Sequence, residues 1–307
     1  MTTPHITVLM ATCNGARFLS AQLDSLLSQT HKNWSLIVSD DGSTDGTAPL
    51  LRAFDRAHPQ HMTRLLTGPQ VGSCAQNFMS LLTLPDLPAG LVALADQDDV
   101  WLPCKLSRAA DHLAGLGSRR PAIYASDSTR TDANLRPTGG QRAANALPGF
   151  HNALVQNIFS GHTTVLNPAA LALIRAAGIP RDIVFHDWWL YQLVAGAGGT
   201  CLLDPARTVL YRQHDRNVFG APGGVMATVR RAAHLLRNDY GGWLHTHWRA
   251  LHAVAPLLTP AASGLVRDLL DKPAYESRAQ QICRLGLRRG TPAGTAALWL
   301  AAGLGRI

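Results

Sequence analysis

Long apolar runs, paired cysteines and a basic leader are all missing from this sequence, and each absence removes a class of protein. No stretch reaches the 18 or more apolar residues needed to cross a bilayer, so no transmembrane helix is expected. The five cysteines, at 13, 74, 104, 201 and 283, are scattered, odd in number and never spaced Cys-x-x-Cys. That argues against a disulfide framework or a zinc site and favours a reducing compartment. Met1-Thr2-Thr3-Pro4-His5 has no basic n-region and the apolar run after it is short, so no signal peptide is expected and a cytoplasmic location is. Charged residues are few, 16% against 46% apolar, which describes a foldable globular chain rather than a disordered one. At 307 residues there is room for one large domain or two modest ones, with no internal repeat or low-complexity linker to divide them.

Acids are scarce in the last third. Residues 207–307 carry 14 Lys+Arg against 5 Asp+Glu, whereas residues 1–206 carry 14 against 15, so the net charge of +8 arises wholly at the C-terminal end. A nucleic-acid partner would call for aromatic interleaving and a reader motif, and neither is there. An anionic membrane surface suits the basic excess better; a plainly solvated basic face is the alternative.

The first half of the chain alternates strand, loop and helix. His5–Ala11, Trp34–Ser39, Met62–Thr67 and Leu91–Ala95 read as buried strands, with helices over Phe18–Gln29, from Asp45 to about residue 57, and near Cys74–Leu82. Four repeats of that unit imply a parallel sheet. Lys105–Leu116 reads as a helix, Ala122–Ser126 as a strand, residues 127–147 as a long loop and Phe159–Leu166 as a strand. Asn167-Pro168 starts a helix, Asp182–Ala195 holds another, and Cys201–Leu203 and Thr208–Tyr211 read as two short strands. From Ala221 the pattern is helical and basic, through Arg230-Arg231, Trp243–Leu258 and Tyr275–Arg289.

Two strand ends carry acid clusters, so both are expected to face one crevice at the carboxyl edge of the sheet. Leu91–Ala95 runs into Asp96-Gln97-Asp98-Asp99, three carboxylates within four residues. Such crowding costs repulsion that a hard divalent cation, Mg²⁺ or Mn²⁺, would relieve. An acidic turn leading into the next helix, near Pro103, is the other reading. An EF-hand is not expected, because no glycine or glutamate follows at the required offsets.

Asp40-Asp41-Gly42-Ser43-Thr44-Asp45-Gly46, Asp96-Gln97-Asp98-Asp99-Val100-Trp101-Leu102-Pro103, His186-Asp187-Trp188-Trp189 and Tyr211-Arg212-Gln213-His214 occur in that order. Together they make the chain resemble the family 2 inverting glycosyltransferases of the GT-A fold, nearest to the bacterial rhamnosyltransferase-like branch that builds surface polysaccharides. The resemblance covers roughly residues 5–220. It implies an α/β fold with a mostly parallel sheet, a catalytic domain over residues 1–220 and a helical, basic extension over 221–307.

The same resemblance implies a nucleotide-diphosphate sugar donor lying beside Thr12 and Asn14, with Asp41 accepting a hydrogen bond from a pyrimidine ring and one of Asp40 and Asp41 doing only turn work. Asp98 would be the direct ligand of a Mg²⁺ or Mn²⁺ ion and Asp96 would serve the ribose or a metal-bound water. Arg212 would contact the diphosphate and His214 complete the metal shell. Asp99 would orient the acceptor or the loop. Asp187 would be the base that deprotonates the acceptor hydroxyl, with a helix-capping role as its structural alternative. His186 stands where many relatives have an acid and Cys13 where they have tyrosine. Gly72 and Asn77 resemble a donor-side loop, and Trp101 reads as core.

The implied acceptor is a saccharide or lipid-linked saccharide, and the implied donor a dTDP- or UDP-sugar, rhamnose being suggested by the branch. Arg284, Arg288 and Arg289 before Ala296–Ala302 suggest a helix lying on the inner face of the cytoplasmic membrane, or else packed on the catalytic domain. A sugar nucleotidyltransferase would need a Gly-rich basic loop after the first strand, which Thr12-Cys13-Asn14-Gly15-Ala16-Arg17 does not supply. A non-catalytic binding or assembly subunit should have lost its acids, and Asp96, Asp98 and Asp187 are all present.

Overall fold

The computed structural model describes residues 3–116, 119–139, 147–214 and 238–307. The first four strands, β1 (Ile6–Thr12), β2 (Trp34–Asp40), β3 (Met62–Thr67) and β4 (Leu91–Asp96), run parallel in the order β3-β2-β1-β4. They lack a polar stripe because both faces are covered. Along β1, Leu9 and Ala11 enter one core with Ile37, Val92 and Leu94, while Ile6, Val8 and Met10 enter a second with Leu36, Val38 and Ala93. Helices α1 (Ala16–Leu27), α2 (Thr47–Ala57) and α4 (Lys105–Ala114) close the second core. The first is closed by α3 (Cys74–Leu82), the short α5 (Phe150–Ala153), α6 (Pro168–Ala177) and α7 (His186–Gly196).

The sheet continues as β4-β7-β6-β8-β5, with β5 (Val100–Trp101), β6 (Ala122–Thr131), β7 (Thr164–Leu166) and β8 (Thr200–Arg212). Strand β7 is antiparallel to both β4 and β6, and β5 is antiparallel to β8. The mostly parallel α/β sheet expected from the sequence is therefore present. Because β7 runs against β4, the turn that precedes β7 lands at the carboxyl end of β4. Because β5 pairs Val100 with Leu210, the acid stretch before β5 is tied to the end of β8.

Several boundaries differ from the sequence reading. Strand β6 does not stop at Ser126 but reaches Thr131, since β8 stays beside it and satisfies its backbone through a polar stretch. The two short strands expected at Cys201–Leu203 and Thr208–Tyr211 are one strand, with a register shift where Pro205 withholds an N–H. The strand expected over Phe159–Leu166 is only Thr164–Leu166, preceded by a 3-10 turn at Gly161–Thr163. Asp45 is not the N-cap of α2, which is Gly46, yet its carboxylate still accepts from Thr47 N and also from Ala16 N at the start of α1.

After the described part of β8 the chain is helical again: α8 (Asn238–Ala253), α9 (Pro260–Leu270), α10 (Arg278–Arg284) and α11 (Pro292–Gly303). The helical pattern expected from Ala221, with Arg230-Arg231, lies outside the described residues up to 237. Leu244, Trp248, Val266, Ile282 and Leu298 join the core of α3 and α7, so these helices pack on the sheet domain. No helix among the described residues is long and apolar enough to cross a membrane.

A buried carboxylate fastens α4, which follows the acid stretch, to the far side of the sheet. Asp204 in β8 accepts from Arg108 Nε and Nη2 (2.9 and 3.0 Å), from Tyr124 Oη (2.7 Å) and from Ala206 N (2.9 Å). Burial alone would raise its pKa, but these donors hold it below its ordinary value of 3.8. A lowered carboxyl stabilises the fold above that ordinary value and ceases to as pH falls through its own. Asp204→Asn should cost about 2 kcal/mol in urea unfolding at neutral pH, and the gap from the parent should close below about pH 3.8.

Candidate active site

The carboxyl ends of β1, β2 and β4 meet where the strand order reverses, between β1 and β4, the place where open α/β sheets form a ligand crevice. On the β1–β2 side, polar side chains are spent joining loops. Thr12 Oγ1 donates to Asp40 Oδ1 at 2.7 Å, and Asp40 also accepts from Ser43 N and Ser43 Oγ, so Asp40 holds the turn. Asp41 takes one hydrogen bond on its carboxylate, from Gln70 N at 2.5 Å. Asn14, in the left-handed region at φ 50°, accepts from Thr44 N through its side chain and donates its own N–H to Ser43 Oγ. Asn77 is buried under this loop and paired with Ser39; Gly72 stands two residues before α3 with φ 68°.

The wall at β4 carries the acids. Gln97 latches the acid stretch to the β1 loop: its amide nitrogen donates to Cys13 O and its oxygen accepts from Cys13 N, both at 2.9 Å. That latch needs Gly15, because a Cβ there would stand 2.1 Å from Gln97 Oε1. Asp98 and His214 meet at 2.8 Å between Oδ2 and Nε2, with the His214 ring 4.9 Å from that of Phe18. Arg212 donates from its backbone to Asp99 Oδ1, from Nε to Asp98 O and from Nη1 to Ala133 O, and its guanidinium lies over Phe18. The residue expected at the diphosphate thus braces the acid loop.

Asp96, Asp99 and His162 form a second cluster, with one potential ligand atom from each lying within 4.8 Å of the others. Asp99 is fully buried and its Oδ2 has no hydrogen-bond partner among the described residues. Burial, then Asp98 and Asp187, push Asp96 up to about 8; burial, then Asp98 and Asp96, raise Asp99 well above the carboxylate range. Lys105, fully buried with Nζ over the Trp101 ring, is pulled down to about 7 by burial despite the opposing field of Asp99. Carboxylates kept this close, with an unpaired buried oxygen among them, are a donor set that fits a hard divalent cation. Trp101 itself is core, 1% exposed.

Across the crevice, α7 begins with His186 and Asp187. Asp187 Oδ2 accepts from Gly161 N at 3.0 Å and Oδ1 from Trp188 N at 2.7 Å. His186 is buried against Phe78, ring centroids 4.2 Å apart, and burial lowers its pKa while Asp187 opposes. Its Nε2 has no partner among the described residues. Cys74, first in α3, is reached by solvent through the cleft, yet the surrounding protein and then Asp96, Asp187, Asp98 and Asp41 hold its thiol far above the ordinary range. One crevice therefore gathers Asp41, Asp96, Asp98 and Asp187, from three separate segments.

Sequence reasoning missed His162, Gln97, Phe18, Lys105 and Cys74. Lys105 carried the one available signal, a lone lysine opening an otherwise apolar helix face. The others depend on chain crossings that no local pattern reports.

Comparison with known proteins agrees with this geometry. The dTDP-rhamnosyl transferase RfbG of Shigella flexneri is 28% identical over 237 residues, 75% of this chain and 80% of that protein. The Escherichia coli UDP-Glc:alpha-D-GlcNAc-diphosphoundecaprenol beta-1,3-glucosyltransferase WfgD is 30% identical over 101 residues, 33% of this chain and 38% of that one. Among solved structures, the mannosyltransferase PcManGT of Pyrobaculum calidifontis, in complex with GDP-Man and Mn²⁺, superposes with a TM-score of 0.55 at 21% identity. It covers 100% of this chain and 88% of its own, a likeness of fold. Residues 7–138, which hold nearly all of the first four strands and the whole acid stretch, match Glycosyl transferase family 2, so this stretch is a family 2 glycosyltransferase domain and the fold of the chain is GT-A-like.

Proposed function

We propose that the protein is a cation-dependent, inverting glycosyltransferase that moves a sugar from a dTDP- or UDP-sugar to a saccharide or lipid-linked saccharide in surface polysaccharide synthesis. Rhamnose is the first candidate, supported by the similarity to a dTDP-rhamnosyl transferase. The observation that carries the reading is the placement of Asp187 on one wall of a crevice whose other wall bears Asp96 and Asp98. A single base facing a leaving-group site is what a one-step displacement requires.

In this reading Thr12, Asn14 and Asp41 line the nucleotide side, where Asp41 accepts from a pyrimidine ring N–H and so selects against purines. Asp96 takes the ribose, and Arg212 acts on the diphosphate end by holding the Asp98–Asp99 loop. Asp98 and His214 would hold a Mg²⁺ or Mn²⁺ ion, which would supply a Lewis acid to neutralise charge on the departing nucleoside diphosphate. Asp187, oriented by two backbone amides, removes the acceptor hydroxyl proton. The oxygen attacks the anomeric carbon, the bond to the diphosphate breaks on the opposite face, and the configuration inverts. Asp99 fixes the loop, and His186 packs beside the base between Phe78 and Gly161.

Peripheral membrane contact belongs to the same proposal. Helix α11 buries Leu298, Ala301 and Ala302 but exposes Trp299 and Leu300, with Leu304 just beyond. An aromatic and two leucines, in a tail that also exposes Arg288 and Arg306, suit an anionic interface, and the acceptor named for WfgD is alpha-D-GlcNAc-diphosphoundecaprenol.

Three measurements test these assignments. Thermal shift with Mg²⁺ or Mn²⁺ against dTDP-rhamnose, UDP-glucose, UDP-galactose and UDP-N-acetylglucosamine should show stabilisation by one donor, abolished in Asp98→Ala; no response to any donor removes the donor assignment. Asp187→Asn should retain donor binding but lose transfer by roughly 10²–10⁴-fold, as removal of a general base does. The protein should float with vesicles of phosphatidylglycerol and stay behind with neutral lipid, and Trp299→Ser with Leu300→Ser should weaken flotation. Protein left at the bottom of both gradients ends the membrane assignment.

A further inference from the structure

The turn before β7 touches both walls of the crevice. Gly161 N–H donates to Asp187 Oδ2 at 3.0 Å, and the next residue, His162, places Nδ1 3.9 Å from Asp96 Oδ2. Two consecutive residues thus reach the two carboxylates that the reaction sets against each other. The turn is tightly made: Ser160 O accepts from Thr163 N (3.0 Å), Thr163 Oγ1 (2.9 Å) and Thr164 Oγ1 (2.9 Å). His162 is 6% exposed and stacks on Tyr211, centroids 4.4 Å apart and planes 16° apart. Tyr211 immediately precedes Arg212, whose backbone N–H holds Asp99. Gly161 permits the approach to α7, since a Cβ there would stand 2.7 Å from His186 Nε2 and 3.6 Å from Asp187 Cβ.

We propose that the Gly161–His162 turn sets the separation of donor and acceptor in this enzyme, His162 being the positioning residue for Asp96 and the Gly161 N–H the positioning group for Asp187. The inference rests on the glycosyltransferase reading and adds to it a rigid link between its two sides. The antiparallel β7, inserted between two parallel strands, is what delivers the turn to that point. At 3.9 Å the His162–Asp96 contact is longer than a hydrogen bond, and contacts of this kind tighten when substrate fills the site. Errors of about 1 Å in such a separation are enough to cost roughly a hundredfold in rate.

The test splits the two residues by function. His162→Ala should weaken Mn²⁺-dependent binding of dTDP and UDP about ten- to a hundredfold, the usual cost of losing a group that orients a ligand. His162→Asn, whose amide nitrogen takes the place of Nδ1, should recover most of that affinity. Gly161→Ala should bind both nucleotides within about threefold of the parent yet lose transfer by roughly a hundredfold, because the added methyl, 2.7 Å from His186 Nε2, must shift the first turn of α7 that carries the base. Parental affinity in His162→Ala, or no recovery in His162→Asn, overturns the proposal. So does a loss of affinity and transfer in both variants that merely follows a falling melting temperature.

A nucleotide-independent arm separates this from failure of the parent reading. In ¹⁵N-histidine-labelled protein, Asp96→Asn should shift the His162 ring nitrogens and Asp98→Asn should shift mainly those of His214. A parent protein that binds neither nucleotide sinks the dTDP- or UDP-sugar donor reading. An unmoved His162 signal in Asp96→Asn sinks the positioning proposal even where the nucleotides bind.

Discussion

Repulsion among carboxylates is the constraint that organises this protein. Asp96, Asp98 and Asp99 follow a strand buried on both faces, with Asp187 and Asp41 close by, and such a group would scatter if left to itself. Each acid is met by its own restraint. Asp98 has His214; Asp99 has the N–H and the charge of Arg212; Asp187 has two backbone amides; Asp96 has His162. The restraints come from the end of β8, the start of α7 and the turn before β7. Much of the topology beyond β4 therefore serves to bring counter-groups to one strand end.

The parallel half of the sheet was legible in the sequence because its physics is local. Short apolar runs bounded by turn residues, each followed by a helical stripe, leave little choice of architecture, and acids at strand ends mark the open edge. Asp40 and Asp41 could not be told apart until the fold showed Ser43 and Thr12 both spending their donors on Asp40. Strand β6 was cut short at Ser126 because Asp127–Thr131 is polar, yet pairing with β8 satisfies its backbone whatever the side chains prefer. His162 was invisible for a related reason. It sits in a run, Phe159–Leu166, that reads as a strand, and only the antiparallel entry of β7 makes that run begin with a turn at the acids. Gln97 and Phe18 act on partners that neither flanks in sequence, so no spacing could have announced them.

The division of the chain into a catalytic part and a helical extension also looks different once the hydrogen bonds are followed. The carbonyls of Ala153, Leu154 and Val155 point at donors from α7 and from the C-terminal helices. Trp188 Nε1 and Gln192 Nε2 donate to Ala153 O, Trp248 Nε1 to Leu154 O, and Tyr240 Oη and Arg289 Nη1 to Val155 O. Gly290 N donates to Gln156 Oε1 in the same stretch. Backbone carbonyls of a connecting segment are costly to bury unpaired, so these donors fix its path rather than decorate it.

That segment ends a few residues before Ser160, where the turn carrying Gly161 and His162 begins. The C-terminal helices thus act on the crevice at one remove: they hold residues 153–156, which aim the turn, which in turn spans from Asp187 to Asp96. Helix α11 takes part in this while keeping Trp299 and Leu300 outward, so the same small element has one face fastened to the core and another free to meet an interface. A contact made on that outer face would bear on a helix already joined to the catalytic core, and so on the segment that positions both carboxylates.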